Sequence, residues 1–344
     1  MNYIDMTLPE MTEAVARMGE KAFRAKQIYE WINLKNAVSW DEMTNLSKAL
    51  RQRLEREEPL HSPRKREVLI SKIDGTRKYL FEMYDGSLVE SVLMKYRHGN
   101  TVCISSQVGC RMGCAFCAST IGGLTRNLTA GEMLGQVYAV ESDLGERISN
   151  VVVMGTGEPL DNYDNLVRFI RMLTDEDGHH ISERNVTVST CGIVPGIKKL
   201  KEEKLMINLA LSLHAPNDEL RRTIMPIAKS YPLREVLGAM DEYYQSTGRR
   251  LTFEYSLIEG VNDSDKCAAQ LAEKIKKFNC LVNLIPVNPV RERKFTPPDR
   301  LAAFAFQKKL EKNGINVTIR REMGRDIDGA CGQLRKRYLE TDNL

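Results

Sequence analysis

No apolar run in these 344 residues approaches the ~20 needed to cross a bilayer; the longest, around Val151 to Met154, has the length of a strand. The first thirty residues mix charged and apolar side chains and lack the apolar core of a signal peptide. Charge of one sign is not in excess: 50 basic residues face 46 acidic ones, leaving +4. Cysteine is too sparse for a disulfide scaffold, with eight in a chain of this length. These absences give the expectation of a cytoplasmic protein with no membrane segment. In that compartment thiols stay reduced, so cysteines that cluster point to metal or catalysis. A second Cys-x2-Cys knuckle, which a zinc ribbon pairs with the first, is also missing.

What is present is an ordinary globular composition, 42% hydrophobic and 28% charged. The length suits one large domain and a small one. Residues 1–100 carry 17 basic and 15 acidic groups, and residues 291–344 carry 13 and 8, so the stretch between is net negative. Short basic clusters stand at Arg64, Lys65, Arg66, at Arg221, Arg222 and at Arg335, Lys336, Arg337. They read as solvated surface charge or as contacts for a polyanion.

Residues 1–60 read as helical: Phe23, Ile28, Trp31 and Ile32 share a face, and Ser39 or Asp41 is a candidate cap for the helix through Leu46, Leu50 and Leu54. Three strand-like runs follow, Val68 to Ile70, Tyr79 to Met83 and Leu88 to Met94. Asp74-Gly75 and Asp85-Gly86 between them are hairpin signals. From about residue 101 the pattern alternates. Strands are predicted at 101–108, 149–155, 185–190, 205–214, 251–258, 281–287 and 315–320, and helices at 129–144, 163–174, 195–204, 232–246, 264–278 and 299–313. Thr129 with Glu132 forms a capping box, and Gly314 suits a helix C-cap. The expected fold is α/β: a partial (βα)6-type barrel, residues 99–344, behind a small N-terminal α+β accessory domain, residues 1–98. In such folds ligands bind at the C-terminal ends of strands. The motifs below follow the strands ending near 108, 155, 190, 212 and 287.

Cys110, Cys114 and Cys117 form a C-x3-C-x2-C run. Three thiolates on one tight loop can hold three corners of a cubane and leave a fourth iron open to a ligand. The competing reading is a structural zinc site completed by a residue such as Cys103. With Phe116 before its third cysteine, the run resembles the signature of the radical S-adenosylmethionine (SAM) superfamily. Gly155-Thr-Gly157-Glu158-Pro159 resembles that superfamily's Gly-Gly-Glu segment, which holds the SAM amino group; on its own it reads equally as a strand-to-helix turn. Cys103 lies in Cys103-Ile-Ser-Ser-Gln, and Cys331 in Asp328-Gly-Ala-Cys331-Gly-Gln, a setting of small residues. Cys191, Cys267 and Cys280 have no such setting and read as core thiols.

These surroundings resemble the RlmN/Cfr family of radical SAM RNA methyltransferases over nearly the whole chain. The resemblance covers Phe23-Arg-Ala-Lys-Gln-Ile-Tyr-Glu-Trp31, Asp41 to Thr44, Cys103 to Cys117, Val188-Ser189-Thr190, Ser212-Leu213-His214, Val282 to Pro286 and the Cys331 segment. It implies methylation of an adenine ring carbon: C2 of adenosine 2503 in 23S rRNA and of adenosine 37 in tRNAs for the RlmN branch, C8 of the same rRNA base for the Cfr branch. Pro159 favours the first. A non-catalytic, zinc-stabilised RNA-binding protein is the remaining alternative.

The resemblance implies a [4Fe–4S] cluster on Cys110, Cys114 and Cys117, and two SAM molecules per turnover. SAM contacts fall on Gly157, Glu158, Ser189, Ser212, Leu213, His214 and Asn288. It assigns the methyl acceptor to Cys331, its later disulfide partner to Cys103 and the proton acceptor to Glu90. The residues alone leave other readings open. Glu90 suits a solvent-facing strand position, His214 a satisfied strand-end histidine and Asn288, before Pro289, a turn. The implied partners are rRNA and tRNA plus an external electron donor, for a chain acting as a monomer. Trp31 and the cluster at 64–66 are candidate RNA contacts, although the helical spacing of Trp31 also places it in the core.

Overall fold

The computed structural model describes residues 2–327 and Leu334. Cys331 and the basic cluster at 335–337 lie outside the described residues. The chain begins with three helices, α1 (Leu8–Arg17), α2 (Phe23–Asn33) and α3 (Lys48–Glu57). Thr7 and Glu10 box the start of α1. Ser47, not Ser39 or Asp41, caps α3 by accepting from Leu50 N. Ser39 instead opens a short 3-10 turn with Glu42 as its box partner. Trp40 in that turn is fully buried, edge-on to Tyr3 at 5.1 Å. Trp31 is only half-buried; its ring packs on the core, and its Nε1 donates to Asn45 Oδ1 at 2.6 Å.

Strands β1 (Arg64–Ile70), β2 (Arg77–Glu82) and β3 (Leu88–Tyr96) form an antiparallel meander. The turns fall at the two Asp-Gly pairs, where Gly75 and Gly86 take φ of 73° and 80°. Next come β4 (Gly99–Ile104), then β5 (Gln107–Gly109) and β6 (Leu124–Asn127), which pair only with each other. The alternation continues with α4 (Ala130–Leu144), β7 (Ile148–Val153), α5 (Tyr163–Thr174), β8 (Val186–Thr190), α6 (Val194–Glu202), β9 (Asn208–Ser212), α7 (Asp218–Ile224) and α8 (Leu233–Thr247). It ends with β10 (Leu251–Leu257), α9 (Asp265–Ile275), β11 (Cys280–Pro286), α10 (Arg300–Lys312) and β12 (Asn316–Ile319). The Thr129–Glu132 capping box forms at α4, and Gly145 closes that helix in the left-handed conformation.

One ten-stranded sheet runs β1-β2-β3-β4-β7-β8-β9-β10-β11-β12. It is antiparallel up to β4 and parallel beyond it. Six βα units from β4 to α10 make the partial barrel, and the sheet passes residue 98 without a break, Tyr96 pairing with Gly99. The predicted strand at 101–108 is split. Ser105 and Ser106 leave the sheet, and Ser105 Oγ donates to Glu90 O at 2.7 Å while accepting from Thr156 N at 3.0 Å.

Side chains along the parallel strands alternate in a way that fixes the site. Val102, Ile104, Val151, Val153, Val186, Val188, Leu209, Leu211, Phe253, Tyr255, Val282 and Leu284 point into the apolar layer under the helices and are fully buried. The residues between them, among them Cys103, Asn150, Thr187, Ser189, Asn208, Ser212, Glu254 and Asn283, line the lumen. The lumen is therefore open and lined in part by polar side chains, not filled by branched side chains as in a closed eight-stranded barrel.

Candidate active site

The cysteine loop is carried by the β5–β6 ladder. Gly109 has φ of 80°, and a Cβ there would stand 2.0 Å from Gly123 O, so only glycine fits. Cys110 N donates to Gly123 O at 2.9 Å, Thr120 Oγ1 to Cys117 O at 2.9 Å, and Ala115 N to Ile224 O at the end of α7 at 2.8 Å. Arg111 pairs with Asp161, tying the loop to the segment after β7. Cys110 and Cys114 are buried and Cys117 partly so. Burial pushes the Cys110 thiol up to about 12. Burial raises Cys114 as well, and the neighbouring Cys117 and Cys110 add to it. Three sulfurs on one loop, two of them buried and all within electrostatic reach of one another, fit a metal cluster that would hold them as thiolates. Among the described residues no three His, Cys, Asp or Glu side chains close around a single ion.

After β7 the backbone turns against β4. A Cβ at Gly155 would stand 2.6 Å from Ile104 O, and one at Gly157 2.7 Å from both Gln107 Cβ and Ser106 Oγ. The glycines thus permit the close approach that brings Glu158 beside the cysteine loop. Glu158 Oε2 accepts from Cys191 N at 2.8 Å and Oε1 from Leu160 N at 3.1 Å. Burial raises its pKa, and the hydrogen bonds from Cys191 and Thr190 oppose that rise.

Ser189 and Ser212 meet across β8 and β9, Oγ to Oγ 3.2 Å. The predicted strand 205–214 stops at Ser212 because Leu213 N and His214 N both donate to Glu254 O and His214 takes φ of 55°. Leu213 is buried and lines neither of the two cavities that meet at this site; its N donates to Glu254 O at 3.0 Å and its O accepts from Arg221 Nε at 3.2 Å. Ser256 N donates to His214 Nδ1 at 2.8 Å, which places the ring proton on Nε2. Burial lowers the His214 pKa to about 3, with Arg221 adding to it, so the ring is a neutral donor. Phe116 stands edge-on to it at 5.0 Å.

Two cavities meet here. One of about 140 Å3 is lined by Cys110, Cys114, Cys117, Gly157, Glu158 and Cys191. The other, about 660 Å3, fills the lumen and is lined by Cys103, Glu90 and Asn288. Cys117, Ser189, Ser212 and His214 belong to both. Cys103 is enclosed by protein, and its partial exposure is to the lumen. Burial pushes its thiol up to about 11, with Arg320 acting against that rise. Glu90 is no solvent-facing residue: it is buried, and Lys78 Nζ lies 3.2 Å from its Oε2. All seven cysteines among the described residues are free thiols. Cys331, the other half of the expected disulfide, lies outside the described residues.

Three features escaped the sequence reading. Arg221, taken with Arg222 as a surface pair, is fully buried beside the cysteine loop. Glu254 and Arg320 line the lumen. Polar residues alternating with the fully buried Phe253 and Tyr255 in Thr252-Phe-Glu254-Tyr-Ser256 were the available signal of polar side chains facing the lumen. The cluster at 64–66 is exposed, but Lys65 pairs with Asp143 and Arg66 with Glu82.

A thiol loop at the C-terminal end of an open (βα)6 barrel, beside a buried Gly-Glu turn, is the architecture of a radical SAM enzyme. Residues 104–272 match the radical SAM superfamily, and residues 1–58 match the family described as ribosomal RNA large subunit methyltransferase N-terminal domain. The crystal structure of a radical SAM methyltransferase from Sphaerobacter thermophilus superposes with a TM-score of 0.93 at 44% identity, over 97% of this chain and 98% of that one. A probable dual-specificity RNA methyltransferase RlmN from Lachnospira eligens is 60% identical over 96% of this chain and 95% of its own length. One from Lachnoclostridium phytofermentans is 59% identical over 97% and 94%. The chain belongs to the RlmN family of radical SAM RNA methyltransferases. It is an enzyme of that class, which sets aside the non-catalytic zinc reading. No helix among the described residues is long and apolar enough to cross a membrane.

Proposed function

We propose that this enzyme methylates C2 of adenosine in RNA, at adenosine 2503 of 23S rRNA and adenosine 37 of tRNAs, by way of a methyl group carried on Cys331. The observation that carries the reading is the meeting of Cys103, Ser189, Ser212, His214 and Cys117 around one lumen of about 660 Å3. Adenine C2 lies between two ring nitrogens and is too electron-poor to displace a methyl group from a sulfonium, so a protein thiolate takes it first. Cys331 has that role, and one of the two SAM molecules used per turnover donates the methyl group. Cys110, Cys114 and Cys117 hold a [4Fe–4S] cluster, which when bound supplies the electron that cleaves the other SAM.

Gly157 lets the backbone approach SAM, Glu158 accepts from its ammonium, and Ser189, Ser212, Leu213, His214 and Asn288 orient the rest. Once the base is joined to the Cys331 carbon, Glu90 takes the C2 proton; Lys78 gives its carboxylate a buried counter-ion. The Cys103 thiolate attacks the Cys331 sulfur, so that the S–S bond forms as the Cys331 S–CH2 bond breaks, and the released carbon keeps that electron pair and takes a proton to become the methyl group. An external one-electron donor feeds the cluster, and the chain works as a monomer in the cytoplasm. Residues 1–98 are an RNA-contacting accessory unit and residues 99–344 the catalytic core, a division of function.

Separate replacement of the two cysteines tests this. Cys103→Ala purified from cells should carry RNA covalently bound, and nuclease digestion with mass analysis should find a nucleotide on the Cys331 peptide. Cys331→Ala should neither accept methyl nor trap RNA. An active, adduct-free Cys103→Ala enzyme sinks the role of Cys103. An active Cys331→Ala enzyme sinks the methyl carrier while leaving the cluster intact. Recovery of 8-methyladenine in place of 2-methyladenine would assign the Cfr-type reaction.

A further inference from the structure

Arg221 and Arg222 are neighbours in α7 with opposite fates. Arg222 is exposed, whereas Arg221 is 0% exposed. Arg221 Nη2 donates to Cys191 O at 2.6 Å and to Ser212 O at 3.2 Å, and its Nε donates to Leu213 O at 3.2 Å. It therefore clamps the turns after β8 and β9, the two that present Ser189, Ser212 and His214. No carboxylate among the described residues forms an ion pair with it, and its Nη1 has no hydrogen-bond partner. Burying a guanidinium without a counter-charge is strongly unfavourable, and one unpaired buried donor adds to that. The anionic groups within its electrostatic reach are the thiolate forms of Cys191 and Cys114, with Asp218 on its own helix. Asp218 is engaged elsewhere, accepting from Leu233 N at 2.7 Å. Helix α7 also touches the cysteine loop directly through Ile224 O and Ala115 N.

We propose that Arg221 is the buried counter-charge of the iron–sulfur cluster on Cys110, Cys114 and Cys117, a positioning residue that makes the cluster easier to reduce; the proposal rests on the cluster reading above. Three thiolates give an oxidised [4Fe–4S] cluster net negative charge, and one electron from a donor such as dithionite adds another. A fixed positive charge in a region of low dielectric favours the more negative, reduced state. The same side chain couples cluster and ligand, since its other nitrogens fix the carbonyls behind the SAM-contacting turns.

The test uses the full chain reconstituted anaerobically with iron and sulfide. The midpoint potential of the cluster is read by electron paramagnetic resonance during a dithionite titration, for the parent, Arg221→Gln and Arg221→Lys. At the parent midpoint Arg221→Gln should hold at least tenfold less reduced over oxidised cluster, about 59 mV for a one-electron couple. Arg221→Lys, which keeps the charge and loses the fork, should stay within threefold of the parent. An unchanged midpoint in Arg221→Gln overturns the proposal. So does a lysine variant that falls as far as the glutamine one, or loss of the cluster in both, because the guanidinium then acts only through the carbonyls it clamps. Loss of the cluster in Arg221→Gln alone, with Arg221→Lys at the parent potential, supports it. Failure of the parent to bind a cluster overturns the cluster reading itself.

Discussion

Glu254 is a lumen residue whose environment ties the stability of the fold to pH near neutrality. Its side chain is 7% exposed, and its one described hydrogen bond is from Asn283 Nδ2 at 2.8 Å. Burial raises its pKa to about 7, with the Asn283 bond and Arg320 working against the rise. The folded protein therefore holds this proton more tightly than the unfolded chain, whose carboxyl titrates at 4.5. Between those values the folded state binds more protons, so stability falls as pH rises through the window, by about 3 kcal/mol in all. Glu254→Gln is neutral at every pH. Its unfolding midpoint should match the parent at pH 5 and exceed it at pH 8; a difference that does not grow with pH would contradict the assignment.

The cysteine loop and the Gly-Glu turn were legible in the sequence because their chemistry is contiguous there. Glu254, Arg320 and Arg221 were not, since nothing local separates a lumen carboxylate from a solvated one. Arg221 and Arg222 are the same residue type in adjacent positions, and only the fold decides which of them turns inward.

At the level of elements the alternation of strands and helices after residue 101 was readable, because most parallel strands carry a Val- or Leu-rich buried face and α4, α9 and α10 each start at a side-chain cap. What was not readable was short. The β5–β6 ladder spans three or four residues a side and exists to frame the cysteine loop. Helix α7 has seven residues, too few for a periodic signal. That helix is nonetheless what brings Arg221 inward and sets Ile224 O against Ala115 N. It starts at Asn217, whose Oδ1 accepts from Leu220 N at 2.9 Å. Asn217→Ala removes this cap at a cost of about 1 kcal/mol. If α7 braces the loop, hydrogen exchange at the Ala115 amide should quicken by about fivefold, as that cost implies, and a chelator should strip iron from the variant faster. Unchanged protection at Ala115 would show that the loop holds itself.

Over the whole molecule, the strands that precede residue 99 and the barrel that follows it share one sheet and one core. A single cluster of buried apolar residues runs from Tyr3 through Trp40, Phe81, Leu134, Phe169 and Phe253 to Ile315. The N-terminal helices dock on α4 and α5 through polar contacts as well: Arg168 Nε donates to Asp5 O at 2.9 Å, Tyr138 Oη to Asn33 Oδ1 at 2.8 Å, and Tyr29 Oη to Asp175 Oδ2 at 2.6 Å. Along β4, Thr101, Val102 and Cys103 pair with Met94, Leu93 and Val92 of β3. A chain cut to residues 99–344 keeps every cysteine proposed to hold the cluster and every proposed SAM contact. It loses Glu90, frees the edge of β4 and uncovers the faces of α4 and α5 that bury Leu134 and Phe169. An unpaired parallel strand edge beside exposed apolar surface is a template for aggregation. The fragment should therefore be insoluble or, if refolded, should unfold without a cooperative transition and fail to hold iron and sulfide at one cluster per chain. Differential scanning calorimetry and metal analysis of the fragment beside the full chain decide the matter. A soluble fragment with a sharp transition and a full cluster would mean that the catalytic half folds on its own and that the shared core is only an interface.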